Sequence, residues 1–492
     1  MAEILKERGF FWWFNDPKRP ANSKETSVPA LLTIADDGQI SLETDGALCL
    51  ADECTDWGKD RAFPESTRIA GWLASSGKYV LLEGLERTDF SFSHESPQQQ
   101  KFSAALCTKR ESPSSFSETY KHENFVELRI ELNGFEDWLE LDSIVVNQEY
   151  SESDEVHVQV SYKERKFEYP THGGILSIES ITTGADLLGL GSQYPQRDAQ
   201  FTQHYYLVFR PDSPSDISSL RYTYTSLEEL LAVFIGSYCR LSWPILVSEE
   251  EPFDAWDILY FYRGTPTPHP VNRYSIWVPF KKINNIFGDL LRNWINGSES
   301  FGAGYYLYVS ALRNPHQYSE HRFVNLIWGV EALHRKWLAE SAASERVQSE
   351  RRRVKRILDL IPENDGKDRE WLCGKLEYAH ELSLRARILE CFGKLPISFA
   401  EGELAKFAKI CANRRNDISH VGGPRDGANY DSFHTEVSCL AEALDHLFHA
   451  LMLHQIGVDQ ATIFEIMTDS IVSERIKVAL AKVRLHIQPQ IG

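Results

Sequence analysis

Over the first three hundred residues apolar positions come in short runs or alternate with polar ones; beyond them they recur every three or four residues. Leu31-Leu32-Thr33-Ile34, Gly71-Trp72-Leu73 and Tyr79-Val80-Leu81-Leu82 are bounded by Asp36-Asp37-Gly38, Asp45-Gly46 and Ser75-Ser76-Gly77. Those clusters are turn signals, so the runs are predicted strands. Val156 to Tyr162 alternates strictly, which predicts a strand with one buried and one wet face. The polar stretches Ser91 to Gln100 and Ser112 to Glu118 read as surface loops. Ser226-Leu227-Glu228-Glu229 has the form of a capping box opening a helix, and a Pro-rich segment from Pro252 to Pro270 leads to a second helical stretch around Ile283 to Ile295.

From about residue 300 the period changes. Phe323, Leu326, Ile327, Val330, Leu333 and Trp337 form the stripe of a buried helix. Arg351, Arg352, Arg353, Lys355 and Arg356 are expected to open the next helix, which Pro362 and Asn364-Asp365-Gly366 end; a third runs from Lys367 to Cys391. Ser398-Phe399-Ala400-Glu401 reads as a capping box for a fourth. Phe433, Val437, Leu440, Leu444, Leu447 and Leu451 then form a seam suited to a helix bundle or a helical dimer contact. The pattern predicts a multidomain α+β chain: a β-rich N-terminal domain at 1–225, a helical and Pro-rich connection at 226–300, and an all-α bundle at 301–492.

Charge sharpens that division. Residues 1–300 carry 27 Lys and Arg against 46 Asp and Glu, whereas residues 301–492 carry 25 of each. A polyanion is therefore expected to bind the C-terminal part. The eight cysteines are scattered without a Cys-x-x-Cys pair, which fits reduced, buried thiols better than a zinc site or a disulfide framework. No apolar run approaches the roughly 20 residues of a membrane span, and the first residues lack a signal peptide's apolar core. The expected compartment is the cytoplasm.

Candidate chemistry concentrates at Asn413-Arg414-Arg415-Asn416-Asp417-Ile418-Ser419-His420-Val421-Gly422-Gly423. An arginine stabilises anionic charge, and a histidine moves protons. The bare spacing also fits Arg87/His94, Arg165/His172, Arg197/His204 and Arg263/His269, so context selects. Arg415 lies four after Cys411 and three before Ile418, on the predicted buried face with Leu404 and Phe407. Gly422-Gly423-Pro424 ends the helix just past His420, where the negative end of the helix dipole favours a protonated imidazole. Five positions span about 140° at 3.6 residues per turn, so Arg415 and His420 do not share a face. Either the helix unwinds before His420, or a second copy supplies the other half of the site. The bland alternative is a buried ion pair and a capping histidine. His446, His449 and His454 read as surface residues rather than metal ligands. Trp12, Trp13, Tyr222 and Tyr224 form either a ligand platform or, more ordinarily, core.

In its helical setting, Arg415-Asn416-Asp417-Ile418-Ser419-His420 resembles the motif of the HEPN superfamily of ribonucleases. With Asn325-Leu326-Ile327-Trp328-Gly329-Val330-Glu331-Ala332-Leu333 ahead of it and a β-rich region opening near Gly9-Phe10-Phe11-Trp12, the layout resembles ApeA-type antiphage defence proteins. The resemblance implies a HEPN-type bundle and a metal-independent endoribonuclease without a cofactor, working on RNA as a dimer or higher homo-oligomer. Its ribose 2′-OH attack leaves a 2′,3′-cyclic phosphate. It implies that His420 exchanges protons, Arg415 stabilises the phosphorane and Asn416 positions the phosphate or the imidazole. Arg414 matches the motif equally by spacing, and Glu331 is expected to pair with Arg415 or face the cleft. The basic run at 351–356 either touches RNA or is a solvated helix start. A phage protein is the implied trigger, sensed by the N-terminal region. The alternative is a non-catalytic dimerisation or RNA-binding scaffold with a ligand-binding β-domain.

Overall fold

The computed structural model describes residues 2–14, 27–46, 48, 68–91, 99–111, 124–141, 144–150, 156–183, 201–248, 257–263, 271–314, 316–337, 339–361, 366–377, 381–425 and 429–488. The chain folds as two compact units. The first comprises Met1–Glu136, Leu141–Thr225 and Arg240–Pro270; the second comprises Asp137–Glu140, Ser226–Cys239 and Val271–Gly492.

The first unit is antiparallel sheet. Strands β1 (Glu3–Phe14), β2 (Val28–Ala35), β3 (Ile40–Thr44), β4 (Arg68–Leu73), β5 (Tyr79–Ser91) and β6 (Gln99–Arg110) pair in the order β6-β3-β2-β1-β4-β5. The further pairing of β5 with β6 closes them into a barrel. Alternate side chains point inward, so Phe11, Leu32, Leu42, Leu82 and Phe102 fill one apolar core. The predicted turns at Asp36-Asp37-Gly38 and Ser75-Ser76-Gly77 join β2 to β3 and β4 to β5. From β6 the sheet continues through further strands: β7 (Phe125–Glu131), β10 (Lys166–Thr171), β11 (Gly174–Thr183), β12 (Thr202–Pro211), β13 (Ile245–Ser248) and β14 (Asp257–Phe261). The Pro-rich segment thus contains β14; its residues 252–256 and 264–270 lie outside the described residues, as do 92–98 and 112–118 of the expected loops.

Among the described residues, β8 (Ile144–Tyr150) and β9 (Val156–Tyr162) pair only with each other. Of the alternating strand's apolar face, Val160 is half-buried and Tyr162 exposed, so this end of the face is not buried as expected; the side chains of Val156 and Val158 lie outside the described residues. A two-stranded ribbon has no second layer to cover it. The aromatic platform does not form either. Trp13 is barrel core, packed edge-on against Phe102, and Tyr224 is buried on a helix with its hydroxyl donating to the Leu241 and Ser242 carbonyls.

α1 (Glu136–Leu139) carries Trp138, fully buried in the second unit, whose indole donates to the Val278 carbonyl at 2.9 Å. α2 (Ile217–Ile235) starts earlier than its sequence signal: Asp216 accepts from the Ser219 amide at 2.8 Å, and Ser226 is buried in mid-helix. α3 (Phe280–Ile283), α4 (Phe287–Phe301) and α5 (Ala303–Arg313) lead to α6 (Ser319–Trp337), where the predicted stripe from Phe323 to Leu333 is wholly buried.

α7 (Ala339–Leu358) also starts early, so the basic run ends this helix rather than opening it. Lys355 and Arg356 lie in its last turn, matched to the negative helix end. Pro362 and Asn364-Asp365 lie outside the described residues. The expected third helix is two, α8 (Gly366–Leu376) and α9 (Leu384–Phe392), because Ser383 caps a fresh start by accepting from the Ala386 amide. The box at Ser398 is instead β15 (Ser398–Phe399), paired with β16 (Ile487–Gln488), a small ladder inside the helical unit. Between them run α10 (Glu403–Val421), α11 (Tyr430–Ile456), α12 (Gln460–Asp469) and α13 (Ser473–Lys482).

α11 is the centre of the bundle. Its whole seam from Phe433 to Leu451 is buried within this chain, as are Ala443, Phe448, Ala450 and Met452 on its other sides. The option of a dimer contact along that seam is therefore corrected. Gly329 permits the approach of α6 and α11, since a Cβ there would stand 2.7 Å from the Phe448 ring. Among the described residues no helix is long and apolar enough to cross a membrane.

Candidate functional site

α10 runs without a break from Glu403 to Val421, so it contains Arg414, Arg415, Asn416 and His420 in continuous helix. Gly422, with φ of 75°, adopts the left-handed conformation that ends it, and the Gly422 and Gly423 amides donate to the Ile418 and Asp417 carbonyls. Unwinding before His420 is thereby removed as a way to bring the imidazole round to Arg415.

The two adjacent arginines have different partners. Arg414 donates to Asp417 at 2.9 Å and to Glu436 of α11 at 2.8 Å, with its guanidinium over the Phe433 ring. These carboxylates hold its pKa above the ordinary arginine value against the cost of burial. Asp417, 5 % exposed, also takes Arg425 at 2.7 Å. Arg414 is thus occupied by the fold.

Arg415 donates to the Asn416 side-chain oxygen at 3.0 Å and to Glu331 of α6 at 3.4 Å. Its Nε is buried without a hydrogen-bond partner among the described residues, while its side chain remains 24 % exposed. The guanidinium is half-buried rather than directed into the core; the helix buries Phe407, Ala408, Cys411 and Asp417 instead. His420 is exposed in the last turn, beside exposed Val421.

Glu331 is itself held from behind. Arg335, one turn along α6, donates to it at 3.1 Å and reaches Glu381 at 2.9 Å. Glu381 takes Arg387 of α9 at 3.0 Å, and Arg387 lies 3.4 Å from Nδ1 of buried His334. An arginine can only donate, so Nδ1 accepts and Nε2 carries the proton given to Glu390 at 2.9 Å. Burial pushes the His334 pKa below the usual histidine value, consistent with that neutral tautomer. A continuous polar chain therefore joins Arg415 to α9.

The sequence singles out Glu331 but assigns no role to Asp417, Glu436, Arg335, Glu381, Arg387 or His334. Asp417 and Arg335 were findable, standing three after Arg414 and four after Glu331. Glu381 and Glu436 carry no local signal. Arg351, Arg352, Arg353, Lys355 and Arg356 are exposed, and the bonds of Arg352 to Gln348 and Arg353 to Glu350 stay within α7.

A cleft of about 610 Å³ opens between the end of α10 and the start of α11. Arg414, Asn416 and Asp417 line it from one side and Ser432 and Glu436 from the other; Arg415 and His420 are not among its lining residues.

His446 and His449 are not surface residues. They are 8 % and 4 % exposed, with His449 bonded to the Tyr308 hydroxyl at 2.8 Å and the Val233 carbonyl at 2.9 Å. α11 is enclosed by its neighbours, so a histidine on it has to find partners inside. Among the described residues no group of three or more His, Cys, Asp or Glu is placed to hold a metal ion.

Two family models match this chain: ApeA N-terminal domain 1 over residues 7–294 and Apea-like HEPN over residues 324–462. The chain belongs to the ApeA-like HEPN family of antiphage proteins. The HEPN match takes in α10 and α11 entire, Glu331 and the basic end of α7. HEPN domains are generally ribonucleases and typically dimerise. Neither the curated proteins nor the solved structures compared with the chain include a match.

Proposed function

We propose that the HEPN domain is an antiphage endoribonuclease that cleaves RNA without a metal, through attack of a ribose 2′-OH on the adjacent phosphate. His420 exchanges protons with the 2′-OH or the leaving 5′-oxygen, and the product ends are a 2′,3′-cyclic phosphate and a 5′-OH. Arg415 stabilises the extra negative charge on the phosphorane, and Asn416 orients it. One observation carries this reading: of two adjacent arginines, Arg414 is saturated by Asp417 and Glu436, whereas Arg415 keeps a buried donor with no partner among the described residues and an exposed edge.

Because α10 is continuous, one copy holds Arg415 and His420 about 140° apart on the helix. The working site therefore combines Arg415 of one protomer with His420 of a second. The N-terminal region keeps the nuclease quiet in the cytoplasm until a phage component is sensed, and the basic end of α7 offers phosphate contacts to the substrate.

The test is incubation of RNA with the protein and a lysate of infected cells in EDTA. Cyclic phosphate ends are expected with wild type, and none with Arg415→Ala or His420→Ala proteins of unchanged melting temperature. Cleavage by both variants contradicts the assignment.

A further inference from the structure

We propose that the cleft between the C-terminal half of α10 and the first turn of α11 is a nucleobase subsite, holding a base next to the phosphodiester that Arg415 engages. The proposal rests on the ribonuclease reading and adds to it where sequence preference resides.

Charge decides what the cleft can take. Its two cations and two anions are paired with one another: Arg414 bridges Asp417 and Glu436, and Arg425 occupies the second oxygen of Asp417. A phosphate placed there meets two carboxylates and no uncommitted cation. A flat, neutral group with its own donors and acceptors suits it better, and a nucleobase is such a group. The volume of about 610 Å³ lies within the roughly 300–1,000 Å³ of small-molecule sites.

The lining supplies matching chemistry. Asn413, Asn416 and Ser432 present amide and hydroxyl groups, each both donor and acceptor, as reading a base edge requires. The Arg414 guanidinium, held by its two carboxylates, lies 5.5 Å over the Phe433 ring, which also lines the cleft, so a base stacks on the opposite face of the guanidinium.

Asn416 ties this cleft to the chemistry. It lines the cleft while its side-chain oxygen accepts from Arg415 at 3.0 Å. A base contacting the Asn416 amide therefore sits one residue from the guanidinium that meets the phosphate.

The experiment uses the His420→Ala protein, so that binding is read without turnover, titrated calorimetrically with the four nucleoside 5′-monophosphates and with ribose 5-phosphate. Ser432→Trp on this background fills the cleft from an exposed helix position, and Asn413→Ala serves as a milder second variant. The expected result is binding that differs among the bases, binding of ribose 5-phosphate at least about tenfold weaker than that of the best nucleotide, and a loss of at least about tenfold in nucleotide affinity with Ser432→Trp at unchanged melting temperature. In cleavage-competent protein the same substitutions should redistribute the cut sequences. Affinities and cut sequences unchanged by both substitutions overturn the subsite while leaving the ribonuclease intact. Base-selective binding blocked by Ser432→Trp, without RNA cleavage by any form, keeps the subsite and removes the ribonuclease reading.

Discussion

Arg415 of α10 lies 3.4 Å from the carboxylate of Glu331 on α6, and the same carboxylate is held at 3.1 Å by Arg335. The acid fixes the direction of the guanidinium, and the second arginine fixes the acid. Glu331→Gln keeps the size and removes the charge that aims Arg415. RNA cleavage is expected to fall by about 10- to 100-fold through misplacement of the arginine. Initial rates check this, and the fall should appear without a matching loss of melting temperature. An unchanged rate reduces Glu331 to an ordinary ion pair.

The composite site makes a quantitative prediction for mixtures. Arg415→Ala and His420→Ala proteins are each inactive, yet a hybrid of the two contains one site with both residues intact. Unfolding and refolding them together at equal amounts should restore about a quarter of wild-type activity, as half the dimers are hybrids with one good site of two. No recovery, with hybrid formation demonstrated by differential tagging, removes the shared-site arrangement.

Asp417 should matter for stability. It is buried and takes both Arg414 and Arg425, so Asp417→Ala leaves two cations without their shared partner. Both arginines retain solvent exposure, which lowers the cost to about 2 kcal/mol from the roughly 3–5 of a fully buried pair. Far-UV thermal melts of the variant should show an earlier helical transition. Arg414→Ala, losing the more exposed side of the same cluster, should cost about 1 kcal/mol.

His449 gives the helical unit a built-in acid sensitivity. Burial first, then the neighbouring His446, pushes its pKa down to about 3, and its ring packs at a tilt against Trp277 between the Tyr308 hydroxyl and the Val233 carbonyl. The unfolded chain takes up a proton near the ordinary histidine pKa of about 6.5, which the folded chain refuses until about 3. Its stabilising contribution is complete above pH 6.5 and is lost as pH falls, at roughly 1.4 kcal/mol per unit. Denaturation midpoints of His449→Gln should decline less steeply between pH 6.5 and 4 than those of wild type.

Several elements were legible in the sequence because their signals are local. The Asp36-Asp37-Gly38 turn and the stripe from Phe323 to Leu333 declare themselves within a few residues. Closure of the barrel was not legible, since β5 meeting β6 is a matter of register between whole strands. The seam from Phe433 to Leu451 announces a buried face without saying which chain buries it. α7 was misplaced because its first half, Ala339 to Glu350, is helix-forming but has no apolar stripe to reveal it. At the site, Asn416 follows Arg415 in the sequence and its side-chain oxygen accepts from that arginine. Glu436, which occupies Arg414, is brought there only by the packing of α11.

Action of Arg415, Asn416 and His420 on RNA is tested by sequencing RNA 3′ ends from infected cells. Cells expressing wild-type protein should accumulate new 2′,3′-cyclic phosphate ends after infection, and cells expressing equal amounts of His420→Ala protein should not. The same new ends in both, or protection from phage by the His420→Ala protein without RNA cleavage, would rule out a ribonuclease built on these residues.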